Sequence, residues 1–271
     1  MSDEQAPNII RIDDGWDSIV FDVDDTWIVR VPRRPEVRAS LRMEAVLLPL
    51  LARELPVRVP EIVFVEDTPE AFVLIHRKLR GDPLRASDEP GLARQVGGFL
   101  AALHNFRGVA EAGIAEVSGT EWIAQQAEFA ERCQAVLTLL DPAERRRAKS
   151  LFDSYLSRAP EFDPVLLHAD LGPEHILCRG GSIAGVIDWS DARVGDPALD
   201  FAWLLHGPGE AFQDTLLDAY VAEGGRLDSA LRERALYFHR LGPWHEVLFG
   251  LRAGRPELVE SGVAGIRERL A

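Results

Sequence analysis

The sequence predicts an α+β protein: an antiparallel sheet with one main helix, followed by a mostly helical part that carries a β-hairpin. Three observations lead there. Residues 9–33 alternate short apolar runs with acidic turns. From Leu92 onward, apolar residues return every three or four positions, the helical period. Between Val165 and Asp188, short apolar runs flank Arg179-Gly180-Gly181-Ser182, a hairpin pattern.

Each element follows in order. Asn8–Ile12, Ile19–Asp22 and Trp27–Val31 read as a three-stranded meander, joined by the loop Asp13–Asp17 and the turn Asp24-Asp25. Val37–Glu54 reads as a helix with Leu41, Ala45 and Leu48 on its apolar face, and Pro49 as a kink point. Arg30 stands between Val29 and Val31, where a charge needs a partner, and Glu44 of that helix is the candidate. Pro60–Val65 and Ala71–Ile75 are two further strands, after which Arg77–Gly81 leaves the sheet. Gly81-Asp82-Pro83 then marks a boundary between residues 1–79 and 80–271. Beyond it, Leu92–His104, Glu121–Leu140 and Pro142–Ser157 read as helices, with Thr120 as N-cap of the second. His104 reads as a capping or core residue, and Arg145-Arg146-Arg147 as a solvated face. Asp196-Pro197 is a helix start, and Asp196 and Asp200 are expected to cap and to tether the loop at residue 170. The last 70 residues are helical and rich in aromatics and histidine, from which Trp244 and Glu246 are candidates for a substrate wall.

At 271 residues, 46% hydrophobic and 27% charged, the chain can bury the core of one large domain or two lobes. A formal charge of −14 argues against nucleic acid or an anionic membrane as partner and is compatible with a cationic substrate. Cys133 and Cys178 lie in no metal or redox spacing and read as reduced structural thiols. Met1–Gln5 lacks the features of a signal peptide, and no apolar run approaches the roughly 20 residues of a membrane span. A cytoplasmic monomer is the expectation.

The chemistry concentrates in His168-Ala169-Asp170-Leu171-Gly172-Pro173-Glu174-His175 and in Asp188-Trp189-Ser190. The protein-kinase catalytic loop reads H-R-D-L-x-x-x-N and is followed by D-F-G, and both stretches match that spacing. Phosphoryl transfer needs a carboxylate near the attacking hydroxyl and ligands that hold Mg²⁺ on the nucleotide phosphates. Asp170 would be the base, with His175 and Asp188 the metal ligands and His168 holding the loop. A lone Asp is usually surface and a lone His often core; three in register are hard to obtain by chance. The first loop contains only Gly15, so Ser18 or nearby backbone N–H groups would supply phosphate contacts. Arg77, Lys78 and Leu79 occupy the place of a hinge, whose backbone reads the nucleotide base.

These motifs resemble the antibiotic kinases of the aminoglycoside phosphotransferase superfamily. The resemblance runs from Trp27 to the last helix. It is carried by H-A-D-L-G-P-E-H-I-L, V-I-D-W-S-D-A-R-V-G-D-P-A-L-D and W-I-V-R-V-P-R-R-P-E-V. It implies a two-lobed protein-kinase-like fold, with a nucleotide-binding lobe at 1–79 and a helical lobe at 80–271 for catalysis and acceptor binding. His175 in place of the kinase Asn, with Ile176-Leu177 after it, is the pattern of the 2″-aminoglycoside and 2′-macrolide branches. K-L-R-G-D-P-L and G-P-W-H-E-V-L-F-G look like the former, V-R-V-P-R-R-P-E-V and D-W-S-D-A-R-V like the latter.

The resemblance implies γ-phosphoryl transfer from Mg²⁺-bound ATP or GTP to an antibiotic sugar hydroxyl. Asp170 matches the base, His175 and Asp188 the metal ligands, and Arg30, steadied by Glu44, the phosphate-contacting lysine position. Arg is not interchangeable with Lys there. A polycationic aminoglycoside would need carboxylates, for which Glu174, Asp191, Glu210 and Glu246 are candidates; a macrolide would need a more apolar wall. Three alternatives stay open: a transition-metal hydrolase using His168, Asp170 and His175, a kinase of another small hydroxyl metabolite, and a non-catalytic nucleotide-binding module.

Overall fold

The structure, a computed structural model, describes residues 6–13, 17–85, 90–157 and 162–270. The chain divides into two compact units, each assembled from separate stretches. The first gathers residues 1–116, 168–193 and 208–226, and the second 117–167, 194–207 and 227–271.

The first unit opens with the expected antiparallel sheet. Its strands are β1 (Ile9–Asp13), β2 (Ser18–Val23), β3 (Trp27–Pro32), β4 (Ile62–Asp67) and β5 (Phe72–Arg77). They lie in the order β1-β2-β3-β5-β4. Gly15 of the first loop falls outside the described residues. Helix α1 (Pro35–Glu54) follows β3 and continues through Pro49. Its buried positions Val37, Leu41, Glu44, Leu48 and Leu51 recur every three or four residues, so they share one face. That face packs on the sheet, with Val37 and Leu41 against Phe72 and Leu74. A glutamate, Glu44, sits in the middle of the apolar stripe.

The rest of the first unit supports the hairpin. The short strand β6 (Asp82–Pro83) and helix α2 (Pro90–His104) come next in the chain. His104 is a core residue, its Nδ1 2.9 Å from the Tyr220 hydroxyl.

In the second unit, α3 (Gly119–Arg132) is capped by Ser118, not by Thr120. The Ser118 hydroxyl accepts from the Glu121 N–H while the Glu121 carboxylate accepts from the Ser118 N–H, a reciprocal capping box. The run expected to be one helix to Leu140 breaks at Cys133, leaving the short α4 (Gln134–Leu137). Helix α5 (Pro142–Leu156) is capped in the same reciprocal way by Asp141 and Glu144. Strand β7 (Val165–Leu167) does not join the hairpin that follows it.

That hairpin is β8 (Ile176–Arg179) and β9 (Ser182–Val186), in the first unit. Gly180 and Gly181 both have positive φ, 58° and 76°, as a two-residue type I′ turn requires, and Arg179 faces Ser182 across it. β6 pairs with β8, completing a three-stranded sheet. β7 pairs instead with β10 (Arg193–Gly195). The remaining helices are α6 (Glu210–Ala222) in the first unit, and α7 (Leu231–Ala253) and α8 (Pro256–Leu270) in the second. No described helix is long and apolar enough to cross a membrane.

Asp196 caps the 3₁₀ turn Pro197–Leu199, as expected of it. Its tethers, however, are Tyr155, whose hydroxyl donates at 3.0 Å, and Arg234, which donates to both oxygens at 2.8 and 3.1 Å. Asp196 is fully buried, so Arg234 neutralises a charge that has no access to water. Arg234→Met should cost about 3–5 kcal/mol in urea unfolding, because the buried carboxylate loses its partner. A loss below about 1 kcal/mol would show that the pair contributes little.

Candidate active site

The two arms of the hairpin mouth are latched by one buried imidazole. His168 Nε2 lies 2.9 Å from the Ile187 carbonyl, and the Asp170 N–H donates to His168 Nδ1 at 3.3 Å. Together these contacts place the ring proton on Nε2. Ile187 N–H in turn donates to the His175 carbonyl at 3.0 Å. Trp189 lies below the latch, fully buried, with its Nε1 donating to the Val186 carbonyl at 2.9 Å. Two non-glycine residues take left-handed backbone at the mouth, Ala169 (φ 68°) and Asp188 (φ 64°). Each costs on the order of 1–3 kcal/mol and persists where surroundings fix it, as the latch does here.

Asp170, His175 and Asp188 converge. His175 Nδ1 is 2.6 Å from the Asp170 carbonyl, so that nitrogen donates and the lone pair lies on Nε2. Nε2 faces Asp188 Oδ2 at 3.9 Å, and His175 Nδ1 is 3.8 Å from Asp170 Oδ2. The other Asp188 oxygen is held from two sides: Arg30 Nη2 and the Ser190 hydroxyl both donate to Oδ1 at 3.2 Å. Arg30 Nη1 donates to both oxygens of Glu44, at 3.0 and 2.8 Å. The expected Arg30–Glu44 pair is therefore present, fully internal at the glutamate, and it extends to Asp188.

Electrostatics separate the carboxylates. Burial works against the charge on Arg30, but Glu44 and Asp188 outweigh it and hold its pKa above the usual value. Burial pushes Glu44 up to about 7 against the pull of Arg30. Crowding by protein also disfavours the Asp188 charge, yet Arg30, His175 and His168 hold it below the ordinary range. Asp170 keeps about half of its side chain open to solvent. Protein crowds its other side and, opposed by His175 and reinforced by Asp191, Asp188 and Glu174, raises it to about 6. One carboxylate is thus locked ionised beside a guanidinium, while its neighbour is poised to exchange a proton.

The remaining candidates scatter. Ser18 starts β2 and is buried, and its hydroxyl has no hydrogen-bond partner among the described residues. Val20 pairs with Arg30, so Ser18, two residues away, shares the sheet face of Arg30. Arg77 donates its N–H to the Glu61 carbonyl at 2.9 Å and lays its guanidinium over Trp27. Lys78 donates its N–H to Thr26 at 2.9 Å and pairs with Asp22 and Asp25. Leu79 packs on the hairpin: a Cβ added at Gly185 would lie 2.7 Å from its Cδ1 and 2.9 Å from the Arg58 carbonyl. Glu174 and Asp191 are exposed beside the mouth, and Asp191 is held above its ordinary value by protein crowding. Glu210 is exposed in the first turn of α6, and no hydrogen bond or ion pair joins it to the mouth residues. In the second unit Glu246 is half-buried on α7, whereas Trp244 is wholly internal and packs edge-on against Phe152. A side chain with no exposed surface forms core, not an open wall, and that expectation is corrected.

Sequence reasoning missed Ser190 and Asp22. Ser190 had a local signal, two residues after Asp188, where short hydroxyl side chains fold back on Asp. Asp22 had none, because its partner Lys78 is 56 residues away. Among the described residues no group of three or more His, Cys, Asp or Glu is arranged to hold a metal alone. His168 spends both ring nitrogens on the latch, which removes the ligand that a transition-metal hydrolase would have needed from it.

Comparison with known proteins completes the picture. A family model described as "Phosphotransferase enzyme family" (APH) matches residues 8–237. Viomycin phosphotransferase of Streptomyces vinaceus is 28% identical over 217 residues, 74% of this chain and 72% of that protein. Uncharacterized protein YcbJ of Bacillus subtilis (strain 168) is 28% identical over 236 residues, 79% and 75% of the two chains. The GDP and kanamycin complex of APH(2″)-IIia superposes with a TM-score of 0.85 at 25% identity, covering 98% of this chain and 94% of that one. Macrolide 2′-phosphotransferase type I gives 0.79 at 27%, covering 96% and 90%.

His76 offers a test of the sheet behind the site. It faces Ile28 across β3–β5, is buried, and burial lowers its pKa to about 4. The unfolded chain, with an ordinary value near 6.5, binds more protons at this residue between those limits, so the contribution of His76 to stability rises with pH across the window, against the opposite contributions of the raised Glu44 and Asp170. That contribution should be complete above about pH 6.5 and fall by about 3 kcal/mol as pH drops toward 4. The difference in stability between His76→Gln and the parent, read from denaturant melts at pH 7 and pH 4, should change by that amount, and a difference independent of pH would place the titration elsewhere.

Proposed function

Because the chain belongs to the phosphotransferase enzyme family, we propose that it moves the γ-phosphoryl group of a nucleoside triphosphate to a hydroxyl of a small molecule, with an aminoglycoside as the best-supported acceptor. The observation that carries the transfer chemistry is the convergence of Asp170, His175 and Asp188 with the buried Arg30–Glu44 pair. Asp170 orients the acceptor hydroxyl and takes its proton as the oxygen bonds to the γ-phosphorus and the bond to the β-phosphate oxygen breaks, releasing a nucleoside diphosphate. Arg30, fixed by Glu44, neutralises phosphate charge. The unpartnered Ser18 hydroxyl, on the same sheet face, suits a phosphate oxygen as acceptor of its proton. Either ATP or GTP fits this chemistry; solved relatives include complexes with GDP and with ATP.

The donor set suits a hard divalent cation held jointly with substrate. His175 Nε2 and Asp188 Oδ2 face one another 3.9 Å apart, and Mg²⁺ takes one or two protein ligands plus phosphate oxygens and water. When bound there it would supply charge neutralisation across the phosphates.

For the acceptor, exposed Glu174 and Asp191 add to Asp170 at the mouth, and the chain carries a formal charge of −14. That favours a polycation. The likeness to kanamycin-bound APH(2″)-IIia agrees with it. A macrolide is the second reading, motivated by 27% identity to macrolide 2′-phosphotransferase type I.

Asp170→Asn should lower kcat by about 10²–10⁴-fold and change nucleotide affinity little, read by coupled diphosphate release and by nucleotide titration. Wild-type turnover would remove Asp170 as base. A panel of aminoglycosides and macrolides, each with ATP and GTP, should show transfer to an aminoglycoside; turnover of macrolides alone would select the second reading.

A further inference from the structure

The second unit holds a cavity whose lining includes none of the mouth residues. It measures about 330 Å³ and lies where α5, the first half of α7 and the end of α8 diverge. That is the lower end of the range for small-molecule pockets, about 300–1,000 Å³. Tyr155 and Tyr237 form its floor, stacked with ring centroids 4.0 Å apart and planes 2° from parallel. The floor is rigid, because the Tyr155 hydroxyl is bound to both Trp122 and Asp196. Leu151, Leu236 and Leu270 supply apolar sides.

The charged groups around this floor are mostly basic. Arg147 and Arg240 both line the cavity, and neither makes an ion pair or a side-chain hydrogen bond among the described residues. Arg234, also in the lining, is already neutralised by Asp196 and Asp228. Among the described residues Glu233 is the one carboxylate in the lining, and it has a partner of its own. Ser150 and Ser154 add hydroxyls, and both also line a second, more open pocket that carries Arg146, Lys149 and Asp153. Arg147 acts on the Asp141 carboxylate only at a distance, so both guanidiniums keep their hydrogen-bond donors available on a chain with a net charge of −14. The arginine run at 145–147 is exposed, as a solvated face should be, and Arg147 is also part of this lining.

We propose that this cavity binds a small amphipathic organic anion: a phosphate monoester or carboxylate carrying a single ring or a short apolar body. The anionic group would lie between Arg147 and Arg240, which suit bidentate oxyanion contacts, with the body against the tyrosine floor and the leucines. Neither part suffices alone. Inorganic phosphate lacks the apolar half, and a neutral phenol lacks the charge.

The test uses the whole protein and phenyl phosphate as probe, titrated by calorimetry with inorganic phosphate and phenol as controls. Saturable binding of phenyl phosphate is expected, at least tenfold tighter than either control, and at least tenfold weaker in R147A/R240A. Ser154→Phe, which places a ring in the cavity and keeps both arginines, should abolish the same binding, and circular dichroism confirms that each variant is folded. Lys149→Ala, outside this cavity, should change affinity less than twofold. Affinity unchanged in both cavity variants, equal affinity for inorganic phosphate, or an equal loss in Lys149→Ala would overturn the site.

Discussion

The first unit depends on a glutamate that has no access to water. Glu44 occupies a position in the apolar stripe of α1 where a leucine would fit the pattern, and its charge is compensated by Arg30 of β3. Leaving such a carboxylate unpaired costs several kcal/mol, so the helix cannot slide or rotate on the sheet without stranding it. The strand is constrained as firmly, since a one-residue slip of β3 would turn Arg30 to the opposite face. Arg30 then reaches Asp188 beyond β9 and so joins strand, helix and hairpin mouth through a single side chain. The pair is thus less a source of stability than a device that fixes register, and the geometry of the mouth inherits its precision.

Much of this was legible in the sequence because the signals are local or chemical. The meander, α1 and the hairpin turn follow from period and from glycines at 180 and 181. Arg30 was recognisable as a charge in need of a partner, and Glu44 as the acid within reach. What was hidden needed long-range information. β7 pairs with β10, 28 residues on from Val165, and an apolar triplet names no partner. Ser118 caps α3 although Thr120 has the same chemistry, because Ser118 alone has Glu121 three residues later to close the box. Trp244 sits on a helix with aromatics on several faces, and a periodicity that blurred gives no indication of which ring points inward.

The two units handle buried charge in different ways. In the first, Arg30 serves one internal carboxylate and one that is partly open to solvent, so the network ends at a wet mouth where a ligand can join it. In the second, Asp196 is satisfied wholly by protein: Arg234, Tyr155 and the Ala198 N–H. That carboxylate anchors Tyr155, one of the two stacked tyrosines of the floor.

The Arg30–Asp188 contact also orders the assembly of the molecule in time. Its two residues are 158 positions apart, whereas Arg30 and Glu44 are separated by 14. By chain-closure scaling the longer loop costs about 4–5 kcal/mol and the shorter about 2, so the glutamate pairs first. Synthesis proceeds at about 5–20 residues per second, so a nascent chain carries the sheet and α1 for several seconds before Asp188 is made. During that interval both members of the Arg30–Glu44 pair are present while the residue at the other end of the Arg30–Asp188 contact is not. The ribosome thus delivers the sheet and α1 before the hairpin whose mouth Arg30 reaches.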